Sequence, residues 1–328
     1  MEQKIRWGII GTGFIAKKFA EALQVLPEAD LIAVGSRAAD TAKSFAEAFN
    51  IPHQHSSYNE LVNDADVDVV YIATPHPYHM ENTILCLKAR KAVLCEKPFA
   101  VNASHAQQMI SVAREKQLFL MEGMWTRFLP IIVKVREWLE KELIGPARFL
   151  KADFGFKGNR NPKGRLLNPE LAGGALLDVG VYTIALASMV FKESPSTITA
   201  AAKFGRTGVD EQSEITLNYD KGQSAILSCA IRKRTPQQAV IVGTKGNIRI
   251  HSPFWSATTA TISIEGKEDE TVKMPFEYNG FEYEAREVMR CIEAGQLESN
   301  IMPLDESRSI VKTMDEIRAQ WGLKYPME

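Results

Sequence analysis

Two short stretches of this sequence carry side chains that handle protons. The first is Cys95-Glu96-Lys97-Pro98-Phe99-Ala100, in which a glutamate and a lysine follow the apolar run Ala92-Val93-Leu94. The second is Asp178-Val179-Gly180-Val181-Tyr182, with an aspartate and a tyrosine four positions apart in an apolar segment. Lysine, tyrosine and carboxylate are all general acid–base groups when their environment tunes them. Each also has a plainer reading. A charged pair at a strand end is ordinary punctuation, Asp178 can be a buried residue with local hydrogen bonds, and Tyr182 can be core. Spacing of four puts Asp178 and Tyr182 on one helical face, and Gly180 between them leaves room for something to approach. An aspartate in so apolar a helix is costly unless it is paired.

Over roughly the first 120 residues, strands and helices alternate with short connections. Strands are expected at 5–10, 30–35, 68–73, 92–95 and 118–121, with helices at 14–25, 40–49, 78–89 and 102–116. This alternation predicts a parallel sheet with right-handed crossovers. The rhythm then changes. A helix at 129–142 is broken by Gly145-Pro146, a strand follows at 147–154, then a polar loop at 155–169 and a small-residue helix at 175–189. Strands at 197–204, 214–219, 224–232, 238–242, 248–251 and 260–264 come without intervening helices, and helices at 282–294 and 305–320 close the chain. Successive strands with short turns indicate a mostly antiparallel sheet. The fold class is therefore α/β: a dinucleotide-binding doubly wound domain at 1–122, then an α+β substrate-binding and dimerisation domain at 123–328.

The strand at 5–10 runs into Gly11-Thr12-Gly13-Phe14-Ile15-Ala16, a GxGxxA pattern placed between a strand and a helix. In that context Gly11 permits the tight turn, Gly13 lets backbone approach a pyrophosphate, and Ala16 allows close helix–strand contact. The helix start at Phe14 and Ile15 offers free N–H groups to the phosphates. The next strand ends at Ser36-Arg37, where an NAD-binding protein would carry an acidic residue. A hydroxyl and a guanidinium suit a 2′-phosphate, so NADP is expected; the alternative is NAD, with Arg37 stacked on adenine. Asp40 is expected to cap the following helix. Ligands of such sheets bind beyond the carboxyl ends of strands, which adds Thr74, Pro75, Glu96 and Lys97 to the cofactor-binding set. Lys97 then stands at the mouth of the crevice, near the nicotinamide, and Pro98 permits a cis bond before it. His79 joins the set as a helix-start histidine with a structural hydrogen bond rather than as a catalyst.

The order GxGxxA, Thr74-Pro75-His76-Pro77-Tyr78-His79, Glu96-Lys97-Pro98, and Asp178 to Tyr182 resembles the glucose–fructose oxidoreductase / inositol dehydrogenase / rhizopine-catabolism (Gfo/Idh/MocA) family over essentially the whole chain. Many members carry histidine where this chain has Tyr182. The tyrosine, with Met121 to Phe128, resembles the dimeric dihydrodiol and D-xylose dehydrogenase branch more closely. The resemblance implies hydride transfer between NADP(H) and a secondary alcohol carbon of a sugar, polyol or trans-dihydrodiol. It implies that Lys97 and Tyr182 form the proton-handling pair: Tyr182 is the general base, and Lys97 lowers its pKa and steadies the developing alkoxide. Asp178 orients Lys97 or binds a substrate hydroxyl, and Lys97 as the base is the reverse assignment. Trp125, Arg127 and Phe154 are candidate substrate-pocket walls, or packing at the domain junction. The resemblance also implies a homodimer formed through the open face of the second sheet.

Bulk properties agree with a soluble enzyme. The chain of 328 residues has a formal net charge of −1, with no basic stripe for nucleic acid. The apolar stretch at 173–191 contains Asp178 and is expected to be a buried helix, not a membrane span. The N-terminus shows no signal peptide, and the four scattered cysteines suit reduced core thiols, so a cytoplasmic location is expected. His53 and His55, and His76 and His79, are the only close histidine pairs. Neither has cysteine or carboxylate company in the sequence, so no metal is expected. A non-catalytic NADP-binding regulator, or an imine- or biliverdin-type reductase, is the rival reading; the former would be expected to lack the lysine or the acid–base pair, and the latter would not need Lys97 and Tyr182 together.

Overall fold

The computed structural model describes residues 4–328, and within them the GxGxxA strand is the centre of a six-stranded sheet whose neighbours all run parallel. Its elements follow as β1 (Ile5–Ile10), α1 (Phe14–Gln24), β2 (Ala29–Gly35), α2 (Ala39–Phe49), β3 (His53–His55), α3 (Tyr58–Val62), β4 (Val69–Ile72), α4 (His79–Lys88), β5 (Ala92–Glu96), α5 (Ala103–Lys116) and β6 (Leu120–Gly123). The spatial order is β3-β2-β1-β4-β5-β6. Direction of winding reverses between β1 and β4, which is where such sheets open a ligand crevice. β3 and α3 were not expected from the sequence, being too short to show a hydrophobic period.

One face of this sheet is built from aromatic packing. Register pairs Trp7 with Val69 and Ile9 with Tyr71, so Trp7 and Tyr71 point to the same side. Phe19 of α1 lies between them, stacked on Tyr71 at 3.8 Å and edge-on to Trp7 at 5.2 Å between ring centroids. All three rings are fully buried. Such pairs add directional preference to the hydrophobic gain of burial. They also fix the height of the Tyr71 hydroxyl above the sheet, which matters below.

The second sheet has eight strands. Its elements are α6 (Pro130–Glu140), β7 (Ala147–Gly155), a π-helical turn (Leu176–Gly180), α7 (Val181–Phe191), β8 (Thr197–Phe204), β9 (Asp210–Asn218), β10 (Ser224–Ala230), β11 (Ala239–Gly243), β12 (Gly246–Ile250), β13 (Thr259–Ile264) and β14 (Glu270–Lys273). The order is β14-β13-β12-β11-β7-β10-β9-β8, antiparallel except for the β7–β10 pair. Leu150, Ala152, Ala225, Leu227, Ile215 and Leu217 bury one face, against which α7 packs. Residues Pro169–Phe191 are long and apolar enough to cross a membrane, but 89% of that window is buried inside the protein, as a core helix would be.

The helices that close the chain are α8 (Glu282–Glu293) and α9 (Leu304–Trp321). Contacts divide the chain into two units. One runs to Ala100 and includes Ser104–Trp125 and Glu277–Arg308; the other holds Val101–Ala103, Thr126–Phe276 and Ser309–Glu328. Segment Glu277–Arg308, placed by the sequence boundary in the second domain, thus groups with the nucleotide sheet. Asn279 donates to the Lys18 carbonyl at 2.8 Å, Leu120 donates to the Leu297 carbonyl at 3.1 Å, and Arg286 pairs with Glu28 at 3.5 Å. Periodicity reports that α8 is amphipathic but not which sheet its apolar face meets.

Candidate active site

The glycines behave as a cradle. Gly11 has φ +104°, and a Cβ there would lie 2.8 Å from the Ala73 carbonyl oxygen. The ends of β1 and β4 therefore meet only because residue 11 lacks a side chain. At Gly13 nothing lies within 4 Å of an added Cβ, so the backbone faces open space. The helix α1 starts there with no side-chain cap, leaving N–H groups directed at whatever fills that space. Phe14 is 75% exposed and Ile15 is half-buried. This geometry fits the pyrophosphate of a dinucleotide.

Arg37 lies exposed beyond β2, its guanidinium 5.4 Å from the Tyr78 ring centroid. Burial raises the pKa of the nearby Tyr58 phenol, and Arg37 opposes that shift. Ser36 is buried, its hydroxyl 2.5 Å from that of Thr41. Asp40 does not cap α2; the cap position is Ala38, and Asp40 sits in the first turn, where its charge still suits the helix dipole. Thr74 is buried and accepts from Asn82 at 3.1 Å, and Pro75 is half-buried beside it. His79 has no exposed surface. Its ring nitrogens lie 2.9 Å from the carbonyls of Thr74 and Pro98, so it joins the turns after β4 and β5 from beneath. Burial holds its imidazole below the ordinary range, and the two carbonyls pull the other way.

The turn after β5 is held by buried polar groups on both faces of the sheet. The Lys97–Pro98 bond is cis. Glu96 is buried, accepts a short hydrogen bond from the Tyr71 hydroxyl, and takes the Lys97 backbone N–H at 3.2 Å. On the other face, the fully buried Glu122 accepts the Phe99 N–H at 3.0 Å, and Cys95 Sγ lies 3.8 Å from the Phe99 carbonyl. Lys97 itself is half-buried. Register sets Gly123 beside Glu96, and a Cβ on Gly123 would lie 3.5 Å from Glu96 Cα and 3.6 Å from Glu284 Oε2. Glu284, on the first turn of α8, therefore lies over the end of β5, within contact distance of residue 123. Glu284 is fully buried, with neither oxygen hydrogen-bonded in the structure. Burial first, and the charge of Glu96 second, push its carboxyl well above the ordinary range.

The second stretch is organised within the other unit. Asp178 lies in the π-helical turn and Tyr182 in α7, both buried. Leu176 donates its backbone N–H to the buried Asp210 at 2.7 Å, which anchors the start of the turn, and Thr183 closes it by donating to the Gly180 carbonyl at 2.8 Å. Burial pushes Asp210 up to about 7. What approaches Gly180 is β10: an added Cβ would lie 3.0 Å from Cys229 Sγ, so this glycine serves packing. Asp178 is paired with Arg165, which reaches in from the polar loop at 155–169. Tyr182 packs near Phe154 at 5.5 Å and Trp255 at 6.3 Å, and Phe154 and Trp255 stack on one another at 4.8 Å. Arg127 is buried and donates to the Ala185 carbonyl at 2.7 Å, an anchor for α7. Trp125 stacks on Phe281 at 4.7 Å within the nucleotide unit.

Glu284, Glu122 and Trp255 were not expected at the site from the sequence. Only Glu284 left a signal, as an acid on the apolar side of an amphipathic helix. The others depend on partners far away in the chain.

Residues 5–124 match the oxidoreductase family with an NAD-binding Rossmann fold, and residues 132–249 match the GFO/IDH/MocA C-terminal domain. The trans-1,2-dihydrobenzene-1,2-diol dehydrogenase of Xenopus tropicalis is 40% identical, covering 98% of this chain and 99% of that protein. The protein of the same name from Homo sapiens is 37% identical, with 99% of each chain covered. KijD10, a 3-ketoreductase from Actinomadura kijaniata solved with TDP-benzene and NADP, superposes with a TM-score of 0.83 at 27% identity over 96% of this chain and 97% of its own. Its solved forms include a lysine-to-alanine and a tyrosine-to-phenylalanine variant. The aldose-aldose oxidoreductase from Caulobacter crescentus shares the fold, with a TM-score of 0.89 at 24% identity over 98% of this chain and 99% of its own.

Glu284 gives a pH-dependent expectation. A carboxyl whose pKa is raised by folding keeps its full stability below its ordinary pKa of 4.5 and loses it as pH rises toward the folded value. Glu284→Gln cannot ionise. Its melting temperature should gain on that of the wild type steadily as pH is raised from 4.5. A difference that does not change with pH would show that Glu284 is not held protonated.

Proposed function

We propose a function for this chain from one premise: it belongs to the Gfo/Idh/MocA oxidoreductase family. It is an NADP-dependent dehydrogenase that moves a hydride between the cofactor and a secondary alcohol carbon of a sugar, a polyol or a trans-dihydrodiol. The observation that carries this reading is the clamped turn after β5, which holds Lys97 beside the strand ends that form the Gly11 cradle. Gly11, Gly13 and the start of α1 bind the pyrophosphate, Ser36 and Arg37 receive the ribose 2′-phosphate, and Thr74 and Pro75 line the crevice. His79 supports that wall from below. The nicotinamide, when bound, supplies the hydride acceptor.

Tyr182 Oη takes the proton of the substrate hydroxyl, and Lys97 Nζ stabilises both the phenolate and the developing alkoxide. Asp178, steadied by Arg165, orients these groups or a second substrate hydroxyl. Phe154 and Trp255 give Tyr182 two aromatic neighbours, which suit the flat ring of a dihydrodiol. The relatives named for dihydrodiol dehydrogenase favour that substrate class, and the ketoreductase solved with NADP favours the cofactor. Tyr182→Phe should lower turnover by at least about 10²-fold in steady-state assays with NADP, with NADPH affinity unchanged by fluorescence titration. Turnover close to wild type would remove the tyrosine from the chemistry.

The division of labour follows: the nucleotide unit binds cofactor, and the second unit binds substrate and dimerises. The open face of the second sheet carries Val242 beside Phe149, and Val240 and Ile226 on either side of Lys151, across β11, β7 and β10, with Ile226 47% exposed. Exposed apolar residues grouped in this way, around one lysine, suit a homodimer. Sedimentation at micromolar concentration should return twice the chain mass; a monomer would rule the dimer out. Four free, buried cysteines suit a cytoplasmic location.

A further inference from the structure

We propose that His53, His55 and Asp64 form a binding site for one first-row divalent cation of the zinc class, distinct from the nucleotide crevice. His53 and His55 alternate along β3, so both imidazoles leave the same face of this edge strand. Asp64 follows α3 and brings the carboxylate that the sequence around the histidines lacks. His53 Nδ1 lies 2.6 Å and His55 Nε2 3.0 Å from the same oxygen, Asp64 Oδ2. Among the described residues these are the one group of three such side chains whose ligand atoms all lie within 4.8 Å of one another.

The carboxylate is fixed in place. Its other oxygen accepts the Asp66 N–H at 2.9 Å, and the Asp64 carbonyl takes the Lys91 ammonium at 2.7 Å. The Asp64 side chain is 9% exposed, and those of His53 and His55 are 38% and 20% exposed. Solvent therefore reaches the imidazole side, where water completes the coordination. Zinc binds imidazole nitrogen and carboxylate oxygen at about 2.0–2.2 Å, so tetrahedral ligands stand about 3.3 Å apart. From 2.6 Å and 3.0 Å, His53 Nδ1 must withdraw from Asp64 by about 0.7 Å and His55 Nε2 by about 0.3 Å, and the larger shift falls on His53, the more exposed of the two. In the loaded site each imidazole must present a ring-nitrogen lone pair to the ion and carry its proton on the other nitrogen. Lys91 opposes the bound charge, which argues for modest affinity. The site adjoins the 2′-phosphate corner, since His55 pairs with Gly35 and accepts the Ser36 N–H at 3.1 Å.

The test is calorimetric titration of tag-free protein with zinc chloride, in a non-chelating buffer at pH 7.5. The expected result is one equivalent bound, weakened at least about tenfold in both His53→Gln and His55→Gln. Zinc-edge absorption of the loaded protein should show two imidazole shells. The proposal is overturned if the wild type binds no stoichiometric zinc, or if both variants bind as tightly as the wild type, which would move the ion to other residues. His53→Gln touches the more exposed ligand, so failure of the His55 variant to fold leaves the test intact.

Discussion

How the chain leaves β5 constrains the rest of the candidate site. Lysine is a flexible side chain, and its usefulness in chemistry depends on the backbone that carries it. Here that backbone is tied on both faces of the sheet. His79 reaches the Pro98 carbonyl, Glu122 holds the Phe99 amide, and Glu96 takes the Lys97 amide while receiving the Tyr71 hydroxyl. These partners are buried, so water cannot replace a broken bond. Leaving one such group unsatisfied costs about 1–3 kcal/mol, and more where the group is charged. The turn is thus preorganised, which is the condition under which a fixed charge acts on a transition state without first reorganising.

The arrangement couples packing to chemistry. Tyr71 can reach Glu96 because its ring is stacked on Phe19 in the aromatic layer over β1 and β4. Glu284 lies over the strand end, next to Gly123. With Glu96 nearby, two buried carboxyl groups cannot both ionise without large cost, so the proton stays on Glu284. In the other unit, Asp178 is likewise set by its neighbours: Asp210 holds the π-helical turn, and Arg165 meets the carboxylate. A π-helical turn widens the helix by one residue, a distortion that tends to mark functional sites.

Much of this was legible from local pattern. A strand, GxGxxA and a helix are consecutive in the chain, so the cradle could be read directly, as could the strand that delivers Lys97. The fold class followed from the change of rhythm near residue 120. What was hidden depends on distant pairing. Glu122 and Glu284 act on the turn from other elements. Arg165 lies in a polar loop whose sequence does not name its partner, and Trp255 lies in a short helical turn without period. Asp64 meets His53 and His55 only because α3, too short to be recognised, folds back over β3. Gly180 was misread because its spacing suggested an open approach, whereas the register of β10 fills that space with Cys229. The partition of Glu277–Arg308 was not visible for the same reason: periodicity identifies a buried face, not its partner.

The central claim is that Lys97 and Tyr182 serve one reacting carbon. A crystal structure with NADP⁺ and a trans-dihydrodiol or aldose bound tests it most directly. The account predicts that the hydroxyl oxygen of the reacting carbon lies within about 3 Å of both Tyr182 Oη and Lys97 Nζ. A substrate hydroxyl seated beside the nicotinamide but beyond the reach of either side chain would contradict it.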